Sequence, residues 1–287
     1  MSNFISMDKR VAVISALVEG CSVRATVRMT GVSKGAILRL LESVGTACAE
    51  YQDVALRNLP ATRIQADEIW SFVAAKQKNV TSAVQAREPM AGDVWTWVAM
   101  DADTKLACTW VVGSRDAHTA RLFVKDLKDR LANRVQLTTD GLRHYFHAIA
   151  EHFDNDVDYA TLTKIYGGTV EESGANVRYS PARCLGTETK IKIGNPDPKH
   201  INTSFIERQN LTMRMQMRRY TRLTNAFSKS LTNHIHSVNL FYMWYNFARV
   251  HQTLRVTPAM EAGLSSHVWA IADIVFLASK ISGYLAA

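Results

Sequence analysis

Cysteine is scarce. Cys21, Cys48, Cys108 and Cys184 stand far apart, with no CxxC pair and no Cys/His cluster. Their scatter excludes a structural zinc finger and a disulfide scaffold, and it fits a reducing compartment. Proline occurs at only 6 of 287 positions, which excludes Pro-rich and low-complexity classes. Long apolar runs are also missing. The most apolar late stretch, Val268 to Ala278, is interrupted by Asp273 and too short to span a bilayer, so it reads as a buried terminal helix. Met1 to Ile14 carries Asp8, Lys9 and Arg10 where a secretory leader would be apolar. The expectation is a cytoplasmic protein with no membrane contact, built as one large domain or two smaller ones.

What is present is positive charge, and it is concentrated. The net charge is +8. Between Arg178 and Arg222 there are ten Lys/Arg against Glu188, Asp197 and Glu207, so nearly the whole excess lies in one stretch. Such focus suits a surface that tracks phosphates. A solvated helix face rich in arginine is the plain alternative.

The chain opens with helical patterns. Residues 8–19 have the spacing of a short helix ending before Gly20; Ser22 then caps a helix over Val23 to Met29, and Ser33 caps another from Lys34 to about Tyr51. Helix, glycine-containing turn, helix is the order of a helix-turn-helix, whose second helix would offer Lys34 and Arg39 to DNA. A helical cap or dimerisation element would look the same. Residues 52–62, with Pro60, read as a linker. Beyond them the period shortens. Arg63–Val73, Asp93–Asp101 and Lys105–Gly113 read as strands, followed by a helix over His118–Ala132, a strand over Arg134–Thr139, a helix over Tyr145–Phe153 and a strand over Val157–Thr163. The fold class expected is α/β, a mixed sheet flanked by helices and preceded by a small all-α unit. The divisions are 1–58, 63–263 and 264–287.

Three carboxylates fall at unusual places: Asp67 inside the first strand, Asp140 at the end of the fourth before Gly141, and Glu207 in a helical segment of the basic stretch. Hard divalent ions take oxygen ligands. Two of them about 4 Å apart can clamp the attacking and leaving oxygens of a phosphodiester. Taken singly, each acid has an ordinary reading: Asp140 as a turn residue, Asp67 as half of an ion pair, Glu207 as a helix-surface partner of Arg208 or Arg214.

Together the segments Asp67-Glu68-Ile69-Trp70-Ser71-Phe72, Thr139-Asp140-Gly141 with Tyr145, Asn202 to Arg214, and Tyr245 to Gly263 resemble the motifs of bacterial insertion-sequence transposases of the DDE class. The resemblance covers most of residues 63–263. It implies an RNase H-like catalytic domain in which Asp67, Asp140 and Glu207 bind two Mg²⁺ or Mn²⁺ ions. It implies strand cleavage at the ends of an element and joining of the freed 3′-hydroxyls to target DNA, without a covalent protein–DNA intermediate. The implied partner is double-stranded DNA, both terminal inverted repeats and target, handled by a dimer or larger assembly close to the nucleoid. Asn210 and Arg214 share the Glu207 face at i+3 and i+7 and Arg218 continues the row, so these three are expected at scissile or flanking phosphate.

Other features fit less closely. Some relatives carry a zinc-binding N-terminus that the cysteine pattern here does not supply. The segment Gly167–Lys199 has no assigned role beyond a hairpin over 178–193 lying along DNA. Alternation along a strand turns Glu68 away from Asp67 and so away from a shared ion. His251 reads as a structural histidine, and the six tryptophans as core. The rival reading is a DNA-binding regulator, or an inactive copy, in which the acidic trio needs no metal.

Overall fold

The computed structural model describes residues 5–167, 183–221 and 224–284. Helices α1 (Met7–Val18), α2 (Val23–Thr30) and α3 (Lys34–Ala55) open the chain. The expected serine caps are made: Ser22 accepts from the Ala25 amide at 3.1 Å and Ser33 from the Ala36 amide at 3.3 Å. Gly31 supplies the left-handed exit of α2, at φ 69°.

The expected linker is shorter, over 56–62, and packed rather than free. α3 runs on to Ala55, and Leu56, Leu59 and Ala61 are buried. Arg130 explains why. Its side chain is 10% exposed, and the guanidinium donates to the Leu56 carbonyl and pairs with Asp53 and Asp126, tying the end of α3 to the sheet domain. Pro60 sits on a chain segment that is pinned on both sides by apolar burial.

Strands β1 (Arg63–Val73), β2 (Gly92–Asp101) and β3 (Ala107–Gly113) form an antiparallel meander, with the short helix α4 (Ser82–Arg87) between the first two. Helix α5 (Ala117–Arg130), strand β4 (Gln136–Thr139), helix α6 (Arg143–Phe153) and strand β5 (Asp158–Gly167) follow. β6 (Arg183–Ile193) pairs antiparallel with β5 and is the outer strand. The sheet order is β3-β2-β1-β4-β5-β6, with β1, β4 and β5 parallel. This is the mixed, helix-flanked sheet expected, in RNase H-like order. Of the expected hairpin over 178–193, residues 178–182 lie outside the described residues, and 183–193 are β6.

The sheet is covered on both faces. α5 and α6 pack together beneath it, with Tyr145 edge to face against both Phe123 and the β2 residue Trp97. On the other face lie α7 (Ser204–Gln216) and α8 (Leu231–Met243). Gln65 on β1 accepts from the Phe205 and Ile206 amides at 3.0 and 3.1 Å, satisfying the start of α7. The final elements are the π turn Trp244–Ala248, α9 (Pro258–Glu261) and α10 (Ile271–Tyr284). α10 packs on α1 and α3 and buries Ile274 and Val275, as expected of an apolar terminal helix. α3 crosses α8 so closely that a methyl group on Gly45 would meet the Cβ of His236 at 2.6 Å. Among the described residues no helix is long and apolar enough to cross a membrane.

Candidate active site

The parallel pairing of β1 with β4 matches Arg63 to Gln136, Ile64 to Leu137 and Gln65 to Thr138, an offset of 73. Asp67 and Asp140 are also 73 apart. Carried two residues beyond the last pair, the register sets the two carboxylates side by side. β4 stops at Thr139 while β1 continues, so the sheet opens a notch beside Asp67 where Asp140 turns out of the strand. Here the chain order reverses from β3-β2-β1 to β4-β5-β6, and ligands of open α/β sheets gather at such switch points. Asp140 Oδ1 accepts from the Leu142 amide at 2.9 Å, which fixes the turn into α6. Gly141 lets the turn pass close to β5, since a Cβ there would approach Thr163 Oγ1 to 2.7 Å and push that side chain aside.

Each carboxylate is held by a different element. Asp67 faces α7, and Asn210 Nδ2 donates to its Oδ2 at 2.8 Å. Glu68 faces α6, where Tyr145 donates to Oε2 at 3.1 Å and the Arg115 guanidinium approaches Oε1 at 2.6 Å. Arg115 also lies 3.9 Å from Asp140 and stacks over Trp95. Despite the alternation of side chains, one oxygen each of Asp67, Glu68 and Asp140 lies within 4.8 Å of the others. The expectation that Glu68 stays apart is therefore corrected. Asp140, lying past the end of its strand, meets carboxylates from both faces of β1, and the extra methylene of Glu68 brings its oxygens to the notch.

Crowding shows in the acid–base chemistry. Burial, then the Asp140 charge, raises the Asp67 carboxyl to about 6, against the opposing donor Asn210. Burial, then Asp140 and Asp67, raises Glu68 to about 7 even with Arg115 beside it. Such paired elevation is what like charges in a confined site produce.

Glu207 is placed in the first turn of α7, close enough for its charge to contribute to the elevation of Asp67. Its carboxylate lies outside the Asp67–Glu68–Asp140 group. One oxygen accepts from Thr203 Oγ1 at 2.7 Å and the other pairs with Lys164 of β5. Asn210 is buried against Asp67, and Arg214 donates to the Tyr220 carbonyl at 3.4 Å. Arg218, Lys34 and Arg39 are exposed. His251 is half-buried, and Trp97 and Trp244 are core.

Sequence reasoning missed three contributors. Arg115 and Lys164 carry no pattern that marks them. Glu68 does carry a signal, a charged residue inside the apolar run of β1, but strand alternation alone points it away from Asp67.

The donors suit a hard divalent cation. All are carboxylate oxygens, and the second amide atom of the adjacent Asn210, Oδ1, is buried without a hydrogen-bond partner.

No protein-family model and no curated protein matches the sequence. Among solved structures the chain is similar to the piggyBac transposase synaptic complex with hairpin DNA, at TM-score 0.40 and 10% identity over 98% of this chain and 72% of that one. It is similar to the Mos1 strand transfer complex at TM-score 0.24 and 13% identity, over 55% and 59%. Both likenesses are distant.

Proposed function

We propose that the chain is a metal-dependent DNA transposase that binds the ends of an insertion element, cleaves strands and joins the 3′-hydroxyl ends to target DNA. The observation that carries this reading is the carboxylate group at the β1–β4 notch, where Asp67 and Asp140 share one register offset and Glu68 joins them. Three acids this close cost folding energy unless a cation is meant to sit among them.

Asp67 and Asp140, with Glu207 from α7, are the residues that would hold two Mg²⁺ or Mn²⁺ ions. Such ions, when bound, activate water or a 3′-hydroxyl toward a phosphodiester and offset charge on the leaving oxygen. The protein's own part is positional. Asn210 sets the orientation of Asp67, and the Leu142 amide that of Asp140. Tyr145 and Arg115 fix Glu68. Arg115 and Lys164 face the carboxylates of Asp140 and Glu207, and both cations are placed to meet phosphate once those acids turn to metal. In the chemistry so supported, water adds across a P–O3′ bond to leave a 3′-hydroxyl. That hydroxyl then forms a new P–O bond in the target and releases a target 3′-hydroxyl.

A second reading, a DNA-binding regulator without catalysis, draws support from the same two cations, since they already neutralise part of the acidic charge. One experiment separates them. Labelled duplexes from the flanks of the gene are incubated with and without Mn²⁺, beside the Asp140→Asn variant. Metal-dependent cuts that vanish in the variant are the outcome expected of the transposase; binding without cuts under every metal supports the regulator.

A further inference from the structure

A second feature lies at the far end of α7. A cavity of about 680 Å³ is walled by α1–α3, by the residues after α7 and by one side of α8. Five cations line it, Arg24, Lys34, Arg218, Arg219 and Lys229, and no carboxylate does so among the described residues. Between them the walls are apolar, with Leu38, Leu41, Leu240 and Phe241. Burial, then the charges of Arg24 and Lys34, lowers the affinity of Lys229 for its proton, and the Lys229 ammonium lies over the ring of Phe227, which lines the same cavity. The N-termini of α2, α3 and α8 also open here. Ser230, the residue before α8, makes no side-chain cap, so the positive end of that helix adds to the field.

Cationic rim and apolar wall together describe a ligand with regularly spaced negative charges and flat apolar groups. An unpaired nucleic-acid strand has both. A duplex, whose major groove alone is about 12 Å wide, is too bulky for a cavity of about 680 Å³, which corresponds to a cube about 9 Å on a side. Position supports the match. From Glu207 to Met217, at the cavity edge, α7 advances ten residues, or about 15 Å. That is about four or five nucleotides at roughly 3.4 Å per step along one strand.

We propose that this cleft holds an unpaired DNA strand, phosphates on the cationic rim and bases against the apolar walls, about five nucleotides from the bond presented to the carboxylates. The inference rests on the reading of the chain as a DNA-processing enzyme.

The probe is fluorescein-labelled dT12, followed by anisotropy with the full chain, beside a blunt 12-bp duplex. Arg24→Gln with Lys229→Gln is expected to weaken dT12 at least tenfold and to flatten log K against log salt by about 1.4, since each lost phosphate contact on a single strand removes about 0.7. The duplex is expected to change less than twofold, and Arg24→Lys with Lys229→Arg to keep dT12 binding. Bound dT12 should also slow alkylation of Cys21, which lines the cavity, while leaving the exposed Cys184 reactive. Unchanged dT12 affinity in the Gln variant, equal weakening of the duplex, or an unprotected Cys21 would each overturn the cleft assignment. Stabilisation by Mn²⁺ reads the carboxylates separately. If dT12 binds at the cleft but Mn²⁺ has no effect on the chain, the transposase reading fails and the cleft stands. If Mn²⁺ stabilises the chain and the cleft variants bind dT12 normally, the reverse holds.

Discussion

Asp140→Asn should make the metal-free protein more stable while destroying its function. Asp140 is the largest charged contributor, after burial, to the elevation of both Asp67 and Glu68. Two unit charges 4.8 Å apart repel by about 3.5 kcal/mol at an effective dielectric of 20. Solvent over Asp140, whose side chain is 39% exposed, and the nearby Arg115 guanidinium screen much of that. A gain of about 1 kcal/mol at pH 8 is the reasonable remainder, or about 2 °C in Tm for a chain of this size. The sign depends on pH. Asp67 and Glu68 have folded values above their unfolded ones, so the native state binds more protons between about pH 4 and 7. Their cost is therefore full at pH 8 and fades as pH falls through that window. The Asn variant should gain at pH 8 and little at pH 4.5. Urea unfolding at both pH values, with and without 1 mM Mn²⁺, measures this. Wild type should rise with Mn²⁺ by RT ln(1 + [Mn]/Kd) and the variant should not. A variant that is less stable than wild type at pH 8 and still stabilised by Mn²⁺ would refute the assignment of repulsion, and of metal, to this cluster.

Three further outcomes follow from named contacts. Asn210→Ala removes the donor that orients Asp67 and leaves its carboxyl higher still; a tenfold or greater loss of Mn²⁺ affinity, read by titration calorimetry, is expected, and unchanged affinity would sink the positioning role. His234 is buried among Ser71, Tyr220 and Ser228, and burial lowers its pKa to about 3. Being lowered, it contributes stability fully above about pH 6.5 and loses it progressively toward pH 3, by as much as about 1.4 kcal/mol per pH unit. His234→Asn should flatten the acid limb of stability against pH, and an unaltered limb would show that other groups set it. Gly45→Ala forces α3 away from the Cα and carbonyl of His236 and should cost about 2 kcal/mol or more in urea unfolding, with full tolerance showing that the crossing is loose.

Much of the fold was legible because its signals are local. Serine caps, the strand periods of 63–73 and 93–101, and the amphipathic helix before β4 need only neighbouring residues, and they emerge within a few positions. The packing of the linker has a non-local cause: Leu59 and Ala61 look like any short apolar stretch until Arg130, some seventy residues on, is seen to pin the Leu56 carbonyl. β6 was legible only as part of a hairpin over 178–193: from Thr187 to Ile193 threonine or isoleucine alternates with glutamate or lysine, but the partner strand, β5, cannot be read from those residues.

The site divides in the same way. The 73-residue spacing of Asp67 and Asp140 was visible from the start, but a spacing becomes a distance only when a parallel register of the same offset is known. Glu68 shows the limit of period-two logic most clearly. Alternation governs where Cβ points, not where a carboxylate two bonds further on can reach, and it holds only while the neighbouring strand continues. At the notch β4 has ended, so the space beside β1 belongs to neither face. A carboxylate from each side of one strand can then meet a third that has left its own. That arrangement is costly for an empty protein, with Asp67 and Glu68 both displaced upward by their neighbours. A fold built only for stability would place an apolar residue at position 68 and leave Tyr145 and Arg115 free. Retaining Asp67, Glu68, Asp140, Tyr145 and Arg115 around one notch is intelligible if the notch exists for a cation, which is why metal binding, rather than DNA binding, is the decisive test of the proposed function.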